Sequence, residues 1–510
     1  MDTLNYLPNV RHQYEHLPYP HRDTQDEARR LIRPTSERLC NLNHHCYRGR
    51  RNFDNFRALV AGAGTGDGTI YLALQLTRHP GARVVHLDLS EASIEIARQR
   101  AKVRGLTNIE WRHGSLLDLP TMGFEPFDYI NCTGVLHHLA DPDAGLRALK
   151  AVLHPGGALG LMVYGRHGRT AVYQMQELMR LINEGETGIE ARVANVRAVL
   201  ESLPATNWFR RSGNLTSDHE RFGDAGIFDL FLHEQDRAYT VSETYAFLER
   251  NGLALLDYAW ARERVMLEPE TWIRKVPALL EKMQKLPLPE RRAAVELLCG
   301  TLTRQHVYAA PEADRKALIG DLDNIPFLVD FPDPDTHRAL ADHLLRNPGK
   351  NVNINAADCS FPFTPGRYTA SIFSHLDGNA TLGEVFARIR GKGKNTPTDR
   401  ELLDDWRPVY ERFALADAML LRHRSVPATV EVLHGDRLPA KLPRPAKPKP
   451  PAKAKAAKSA KPAKAAKAAK PAKPAKPAKP AKPAKPAKPA KPKPPARPAR
   501  PTKPKPKKKS

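Results

Sequence analysis

Four glycines occupy alternate positions directly after a short apolar run, in the stretch "LVAGAGTGDG" at residues 59–68. Glycine costs backbone entropy, and it is used where a chain must bend sharply or approach another group closely. A second apolar run, 83–88, ends in Asp88. A carboxylate placed there can accept hydrogen bonds from both hydroxyls of a ribose. These residues together indicate a site for a nucleoside.

Two other kinds of nucleotide site do not fit this glycine spacing. A phosphate-binding P-loop needs Gly-x4-Gly-Lys-Ser/Thr, and this stretch does not supply that pattern. The dinucleotide pattern Gly-x-Gly-x-x-Gly would put its third glycine on Asp67, Thr69 or Tyr71. The remaining pattern, Gly-x-Gly-x-Gly followed by an acid one strand later, favours a nucleoside that carries no diphosphate.

The elements that must position these residues follow from the hydrophobic pattern between about 56 and 164. Apolar runs predict five strands, at 57–61, 83–88, 109–113, 127–132 and 158–164. The amphipathic segments between them predict helices, with Ser90 and Asp141 as N-caps. Repeated strand–helix alternation predicts an α/β fold with an open, doubly wound parallel sheet. Ligands of such sheets bind beyond the carboxyl ends of the strands.

Over the same region the chain resembles the class I S-adenosylmethionine-dependent methyltransferases. Five segments carry this resemblance in the expected order: "LVAGAGTG", "VVHLDLS", "HGSLLDLP", "FDYINCTGVLHHL" and "LKAVLHPGGALGLMVY". The resemblance implies a Rossmann-like fold and S-adenosylmethionine as the cofactor. It also implies methyl transfer by in-line displacement to an acceptor that the sequence leaves unidentified.

The resemblance further implies a set of cofactor-binding residues. Asp88 would bind the ribose, the loop 114–116 would contact the adenine, and 133–135 would lie near the transferred methyl group. The full predicted set is Gly62, Ala63, Gly64, Gly66, Asp88, Leu89, Ser115, Leu116, Thr133 and Gly134. Two positions depart from the family pattern, since Val60 and Ser115 stand where many members carry acids. Val60 weakens the expected contact to the cofactor's amino group, and Ser115 removes an acidic partner for the adenine amino group.

His137 is the candidate general base, because it follows the fourth strand at the mouth of the expected site. The alternative for His137 is packing at the start of a helix. Asp67 has two alternatives as well, contact with the methionine ammonium or capping of the next helix. No metal site is expected, because Cys40 and "NHHC" at 43–46 match no standard ligand spacing. That segment is expected to be helical.

Composition shifts divide the chain into six regions. They are an N-terminal arm with a candidate lid (1–53), a methyltransferase core (54–170) completed by 236–265, a helical insertion (171–235), a helical region (266–349), a small winged-helix-like module (350–430) and a disordered Lys/Ala/Pro-rich tail (431–510). The candidate lid includes "QYEHLPYP" at 13–20.

The basic charge belongs to the tail. The net charge is +24, and residues 441–510 hold 26 of the 80 lysines and arginines and no acid, so the first 440 residues carry 54 basic against 56 acidic groups. This tail resembles those of linker-histone-like proteins, and its charge favours non-specific binding of nucleic acid or another polyanion. The alternative function is therefore a catalytically weak, methyltransferase-like protein that docks on polyanions through its tail. Five scattered cysteines and the lack of a long apolar run indicate a cytoplasmic protein with no membrane partner.

Overall fold

A computed structural model describes residues 14–213, 215–331, 335–356, 359–390 and 396–429. These residues fall within one compact unit, 1–443. The prediction of a disordered tail at 431–510 lies outside the described residues.

An eight-stranded sheet forms the centre of the described chain. Its strands are β1 (Arg57–Ala61), β2 (Arg83–Asp88), β3 (Ile109–His113), β4 (Phe127–Thr133), β5 (Leu153–Gly165), β6 (Ala238–Tyr239), β7 (Ala254–Tyr258) and β8 (Arg304–Ala310). The order is β3-β2-β1-β4-β5-β8-β7, with β6 paired to β5. Strands β1 to β6 pair in parallel, and β8 runs antiparallel to β5 and β7. The predicted fold class is confirmed.

Helices cover the sheet and build the insertions. They are α1 (Leu39–Cys46), α2 (Asp67–Leu76), α3 (Glu91–Val103), α4 (Pro142–Ala151), α5 (Thr170–Ile182), α6 (Ile189–Ser202), α7 (Trp208–Arg211), α8 (Asp218–Arg221), α9 (Gly223–Phe231), α10 (Val241–Arg250), α11 (Ala261–Met266), α12 (Pro269–Ile273), α13 (Pro277–Gln284) and α14 (Leu288–Cys299). Short 3₁₀ turns precede them at Thr24–Ala28 and Thr35–Glu37, and others follow β3, β4 and β5. Helix α1 is formed by the cysteine- and histidine-containing segment that the sequence predicts as helical.

The helix starts that frame the site use the predicted caps. The Ser90 side chain accepts a hydrogen bond from the backbone N–H of Ser93. Asp141 does the same for Ala144, with Pro142 in the first helical position. A cap of this kind stabilises a helix by about 1 kcal/mol, because it satisfies an orphan backbone donor. The loops after β2 and β4 are therefore held at defined helix starts.

The expectation that 266–349 is helical is wrong for two segments. Residues 304–310 form β8, inserted between β5 and β7, and 324–328 form β9 (Asn324–Leu328). All of β8 after Arg304 is buried, so its sequence lacks the alternation of a half-exposed strand. An apolar run without alternation cannot be distinguished from a buried helix by periodicity.

The C-terminal module consists of two small sheets and four helices. Its elements are β9, α15 (Thr336–Arg346), β10 (Val352–Ala356), β11 (Cys359–Phe363), α16 (Thr369–His375), α17 (Leu382–Arg390), α18 (Asp399–Leu415) and β12 (Met419–His423). β12 pairs antiparallel with β9, so the module recruits a strand from before residue 350. The winged-helix-like resemblance stays a prediction.

Buried ionic contacts join this module to the methyltransferase core. Asp417 accepts hydrogen bonds from His45 Nε2 at 3.0 Å and from Asn41 Nδ2 at 2.8 Å, and it also pairs with Arg264. Burial alone would raise the pKa of Asp417, but Arg264 and His45 lower it below its usual value.

Within the described ranges, every helix is too short or too polar to cross a bilayer.

Candidate active site

A cavity of about 810 Å³ opens at the carboxyl ends of β1, β2 and β4. Nine of the ten predicted cofactor residues line it: Gly62, Ala63, Gly64, Asp88, Leu89, Ser115, Leu116, Thr133 and Gly134. Gly66 does not line the wall. It lies at the start of α2 behind it, where a Cβ would sit 2.8 Å from the Ala97 Cβ. Gly66 thus permits close helix packing.

The glycine loop needs glycine at its first position. Gly62 has a φ of 67°, which is unfavourable for residues with a Cβ. An added Cβ would also overlap the Cγ2 of Val135. The loop backbone therefore lies against the turn that follows β4, and the two together form one side of the cavity.

Asp88 is held in place by two backbone donors. The N–H of Gly64 donates to its Oδ2 at 2.7 Å, and the N–H of Ser90 donates to its Oδ1 at 2.9 Å. Burial raises the pKa of Asp88, and these two bonds oppose that effect. Each carboxylate oxygen keeps a further acceptor position, so Asp88 can bind two hydroxyls on the cavity side.

Ser115 begins the turn after β3 and lines the cavity. Its hydroxyl oxygen accepts a hydrogen bond from the N–H of Leu117 at 3.2 Å. This bond fixes the loop in which many family members carry an acid.

Asp67 lies on the cavity wall with its charge already compensated. Arg22 donates to its Oδ1 from Nε at 2.9 Å and to its Oδ2 from Nη2 at 2.5 Å. The Nη1 of Arg100 donates to Oδ1 at 2.8 Å. Because two guanidinium groups neutralise this carboxylate, it does not supply a free negative charge to the cavity.

The described part of the N-terminal arm covers the cavity. Tyr14, Tyr19, Pro20 and Arg22 line it. The Thr65 hydroxyl donates to the Pro20 carbonyl at 2.7 Å, which ties the arm to the glycine loop. The arm therefore forms a wall of the site, in the position that the sequence suggests for a lid.

The two histidines after β4 differ sharply in their surroundings. His137 is fully buried, and among the described residues neither of its ring nitrogens has a hydrogen-bond partner. It is not one of the residues that line the cavity. Burial lowers the pKa of His137 well below its usual value. His138 lines the cavity, and its Nδ1 donates to the Gln235 carbonyl at 2.7 Å. That bond leaves the His138 Nε2 with a lone pair.

A buried polar cluster completes the end of the cavity near His138. The hydroxyls of Tyr14 and Tyr164 donate to the two Asp229 oxygens, each at 3.3 Å. His233 accepts the Gln235 N–H through Nδ1 at 3.1 Å, so its neutral ring carries the proton on Nε2. That nitrogen faces the Tyr14 hydroxyl at 3.4 Å. Burial raises the pKa of Asp229 and lowers that of His233 well below its usual value.

The donor atoms of His138, Asp229 and His233 lie within 4.8 Å of one another, a distance at which three ligands could hold a metal ion. The tautomer of His233 argues against a metal site, because its Nε2 carries a proton and has no lone pair to offer a metal ion. The sequence analysis did not single out Asp229. The only signal for Asp229 was an acid in an otherwise apolar helix, "GIFDLF".

Comparisons with known proteins agree with this geometry. Residues 59–159 match a family model described as a methyltransferase domain. This match supports the predicted resemblance to methyltransferases over residues 59–159.

Individual relatives extend this result. An uncharacterised protein of Synechococcus is 35% identical over 250 residues, 48% of this chain and 58% of the relative. The tRNA 5-carboxymethoxyuridine methyltransferase of Escherichia coli is 37% identical over 113 residues, 22% of this chain and 41% of the relative. The matches thus span between two fifths and three fifths of these relatives.

A solved structure shares the fold over a longer stretch. The structure of PKMT2 from Rickettsia typhi has a TM-score of 0.53 at 17% identity, and it covers 77% of this chain and 75% of that chain. The same protein has also been solved in complex with AdoHcy, S-adenosylhomocysteine. At this identity the likeness shows the fold.

Proposed function

We propose that the protein is an S-adenosylmethionine-dependent methyltransferase that methylates an acceptor entering the end of the cavity lined by Tyr14, Tyr164 and Asp229. The observation that carries this proposal is that nine of the ten cofactor residues implied by the family resemblance line the same cavity. A relative that is a tRNA methyltransferase and a fold neighbour solved with AdoHcy support it further.

The residues present fit the cofactor. S-Adenosylmethionine supplies a methyl group on a sulfonium sulfur, which is already activated for transfer. Asp88 has free acceptor positions for the ribose hydroxyls, and the Gly62–Gly64 backbone permits close approach. Ser115 and Leu116 would border the adenine, and Thr133 and Gly134 would border the reacting carbon. The protein's task is to position donor and acceptor and to exclude water.

His138 replaces His137 as the proposed general base. Its Nε2 carries a lone pair at the cavity wall, whereas His137 is enclosed and does not reach the cavity. An acceptor O–H or N–H that loses its proton on methylation can pass that proton to the His138 Nε2. The Gln235 carbonyl then stabilises the protonated ring through Nδ1–H.

Calorimetric binding of S-adenosylhomocysteine to the full chain tests the cofactor assignment. We expect binding to the wild-type protein and about 10- to 100-fold weaker binding to Asp88→Ala, because hydrogen bonds to a charged group are lost. Asp224→Ala is the matched control, since Asp224 pairs with Arg197 on the surface. A wild-type chain that binds no S-adenosylhomocysteine would refute the assignment.

The acceptor can be found with isotope-labelled S-adenosylmethionine in cell extract. Mass spectrometry should detect a labelled product with the wild-type protein and far less with Asp88→Ala. The label's position on that product identifies the methylated atom.

The tail supports a second, additional role. Its 26 basic residues without an acid favour non-specific binding of nucleic acid. Binding that falls steeply with salt and disappears on deletion of 441–510 would support this role, and salt-resistant binding without the tail would contradict it. The scattered cysteines support a cytoplasmic location.

A further inference from the structure

The family pattern does not assign a residue of this chain to the contact with the cofactor's amino group. Many members of the family carry an acid where this chain has Val60. Val60 is 3% exposed and lines the cavity. Position 60 on β1 therefore contributes no carboxylate to the cavity wall. Asp67, the nearest candidate in sequence, is neutralised by Arg22 and Arg100.

A carboxylate from another segment reaches the same place. Val60 on β1 and Asn131 on β4 are register partners in neighbouring strands. The Asn131 Nδ2 donates to the Glu37 Oε1 at 2.6 Å. A Cβ at Gly68 would lie 3.0 Å from the same oxygen. Glu37 therefore lies beside the end of β1 and the start of α2, and it lines the cavity.

Glu37 is buried without a countercharge. It is 2% exposed, and its second oxygen accepts the Ser36 hydroxyl at 2.7 Å. Within the described ranges no cation forms an ion pair with it. Burial raises the pKa of Glu37 to about 7. A buried carboxylate is costly unless a cation pairs with it, so this one is suited to a cationic ligand group.

The segment that carries Glu37 is firmly held. Gln75 on α2 donates from Nε2 to the Glu37 carbonyl at 2.8 Å and accepts the Leu39 N–H at 3.0 Å. The Tyr129 hydroxyl donates to the Ser36 carbonyl at 2.8 Å. The carboxylate is thus fixed relative to both β4 and α2 before any ligand binds.

We propose that Glu37 binds the α-ammonium of the cofactor's methionine portion, in place of the acid that this family usually carries at position 60. This inference rests on the proposed function, because it assumes that the cavity holds S-adenosylmethionine. The ammonium supplies the missing countercharge, and Ser36 and Asn131 hold the carboxylate toward it.

Two ligands that differ in the amino-acid portion test the proposal by calorimetry on the full chain. S-Adenosylhomocysteine carries the ammonium, and 5′-methylthioadenosine lacks the whole amino-acid group. For Glu37→Gln we expect about 10- to 100-fold weaker binding of S-adenosylhomocysteine, from the loss of a charged hydrogen bond. Binding of 5′-methylthioadenosine should stay within about twofold.

Glu296→Gln is the matched control. Glu296 is also a buried glutamate whose pKa is raised by burial, but it binds the Val241 N–H and does not line the cavity. The Glu296→Gln variant should bind both ligands as tightly as the wild-type protein does. If Glu37→Gln keeps the wild-type preference for S-adenosylhomocysteine, the inference is wrong while the proposed function stands. If the wild type binds neither ligand, the proposed function itself fails.

A pH series on the unaltered protein gives an independent measurement, free of any folding defect in a variant. The ammonium binds the ionised carboxylate, so affinity falls as pH drops through the Glu37 pKa of about 7. S-Adenosylhomocysteine should bind about eightfold more weakly at pH 6 than at pH 7.5, and 5′-methylthioadenosine should change little. Equal pH dependence of the two ligands would overturn the inference.

Discussion

Replacing Gly62 by alanine should combine backbone strain with steric overlap at the cavity wall. At a φ of 67°, a residue with a Cβ costs about 1–2 kcal/mol. The added Cβ also overlaps the Val135 side chain, and overpacking of this kind costs about 1–3 kcal/mol. We therefore expect Gly62→Ala to destabilise the protein by about 2–5 kcal/mol in total.

Gly185 offers a matched control because it has the strain without the overlap. Its φ is 79°, and a Cβ there would meet no atom of the part of the chain that the structure describes within 4 Å. Gly185→Ala should therefore cost only about 1–2 kcal/mol. The difference between the two variants measures the overlap. A third variant, Gly62→Ala with Val135→Ala, should recover that difference and leave the strain.

Thermal unfolding and calorimetric binding of S-adenosylhomocysteine are the measurements. One kcal/mol shifts the melting temperature by roughly 2–4 °C in domains of 150–250 residues and by less in a larger unit. At about 1 °C per kcal/mol for a unit of this size, we expect decreases of about 1–2 °C for Gly185→Ala and about 2–5 °C for Gly62→Ala. Only Gly62→Ala should weaken binding. Equal melting temperatures for the two variants, with unchanged affinity, would refute the reasoning.

Two further predictions concern the base and the buried ionic contacts. His138→Gln should lower methyl transfer by about 100-fold or more while S-adenosylhomocysteine still binds, whereas His137→Gln should affect mainly stability; equal transfer rates would contradict the assignment. Asp417→Ala should destabilise the chain by about 3–5 kcal/mol in chemical denaturation, because Arg264 is left buried and unpaired. The surface pair of Asp224 with Arg197 is the control, and Asp224→Ala should cost under about 1 kcal/mol. Since the pKa of Asp417 is lowered in the folded state, its contribution should be present above about pH 4 and lost as pH falls below that value.

Much of the sheet was predictable because its strands and helices alternate and the helices begin at clear capping residues. Ser90 and Asp141 are local signals, and the structure uses both as caps. β8 was not predictable in the same way. Its residues are buried on both faces, and their partners on β5 lie more than a hundred positions earlier in the chain. A local pattern carries no information about such a partner.

The site divides along the same line. The glycine loop and Asp88 belong to one strand–turn–helix–strand unit, so short-range spacing was enough to bring them together. His138, Asp229 and Tyr14 meet only through the insertion and the N-terminal arm. The choice of His137 over His138 was wrong about access to the cavity, since adjacent residues share a motif but point into different surroundings.

Glu37 extends this argument from contacts to charge. A ligand ammonium requires a carboxylate near it, but nothing requires that carboxylate to come from β1. Position 60 lies beside Asn131 across the strand pair, and Asn131 contacts Glu37. Glu37 stands 23 positions before position 60 in the chain. A valine at position 60 therefore need not mean that the amino-group contact is lost. The question for any chain with such a departure is whether another buried acid without a countercharge lies against the neighbouring strand.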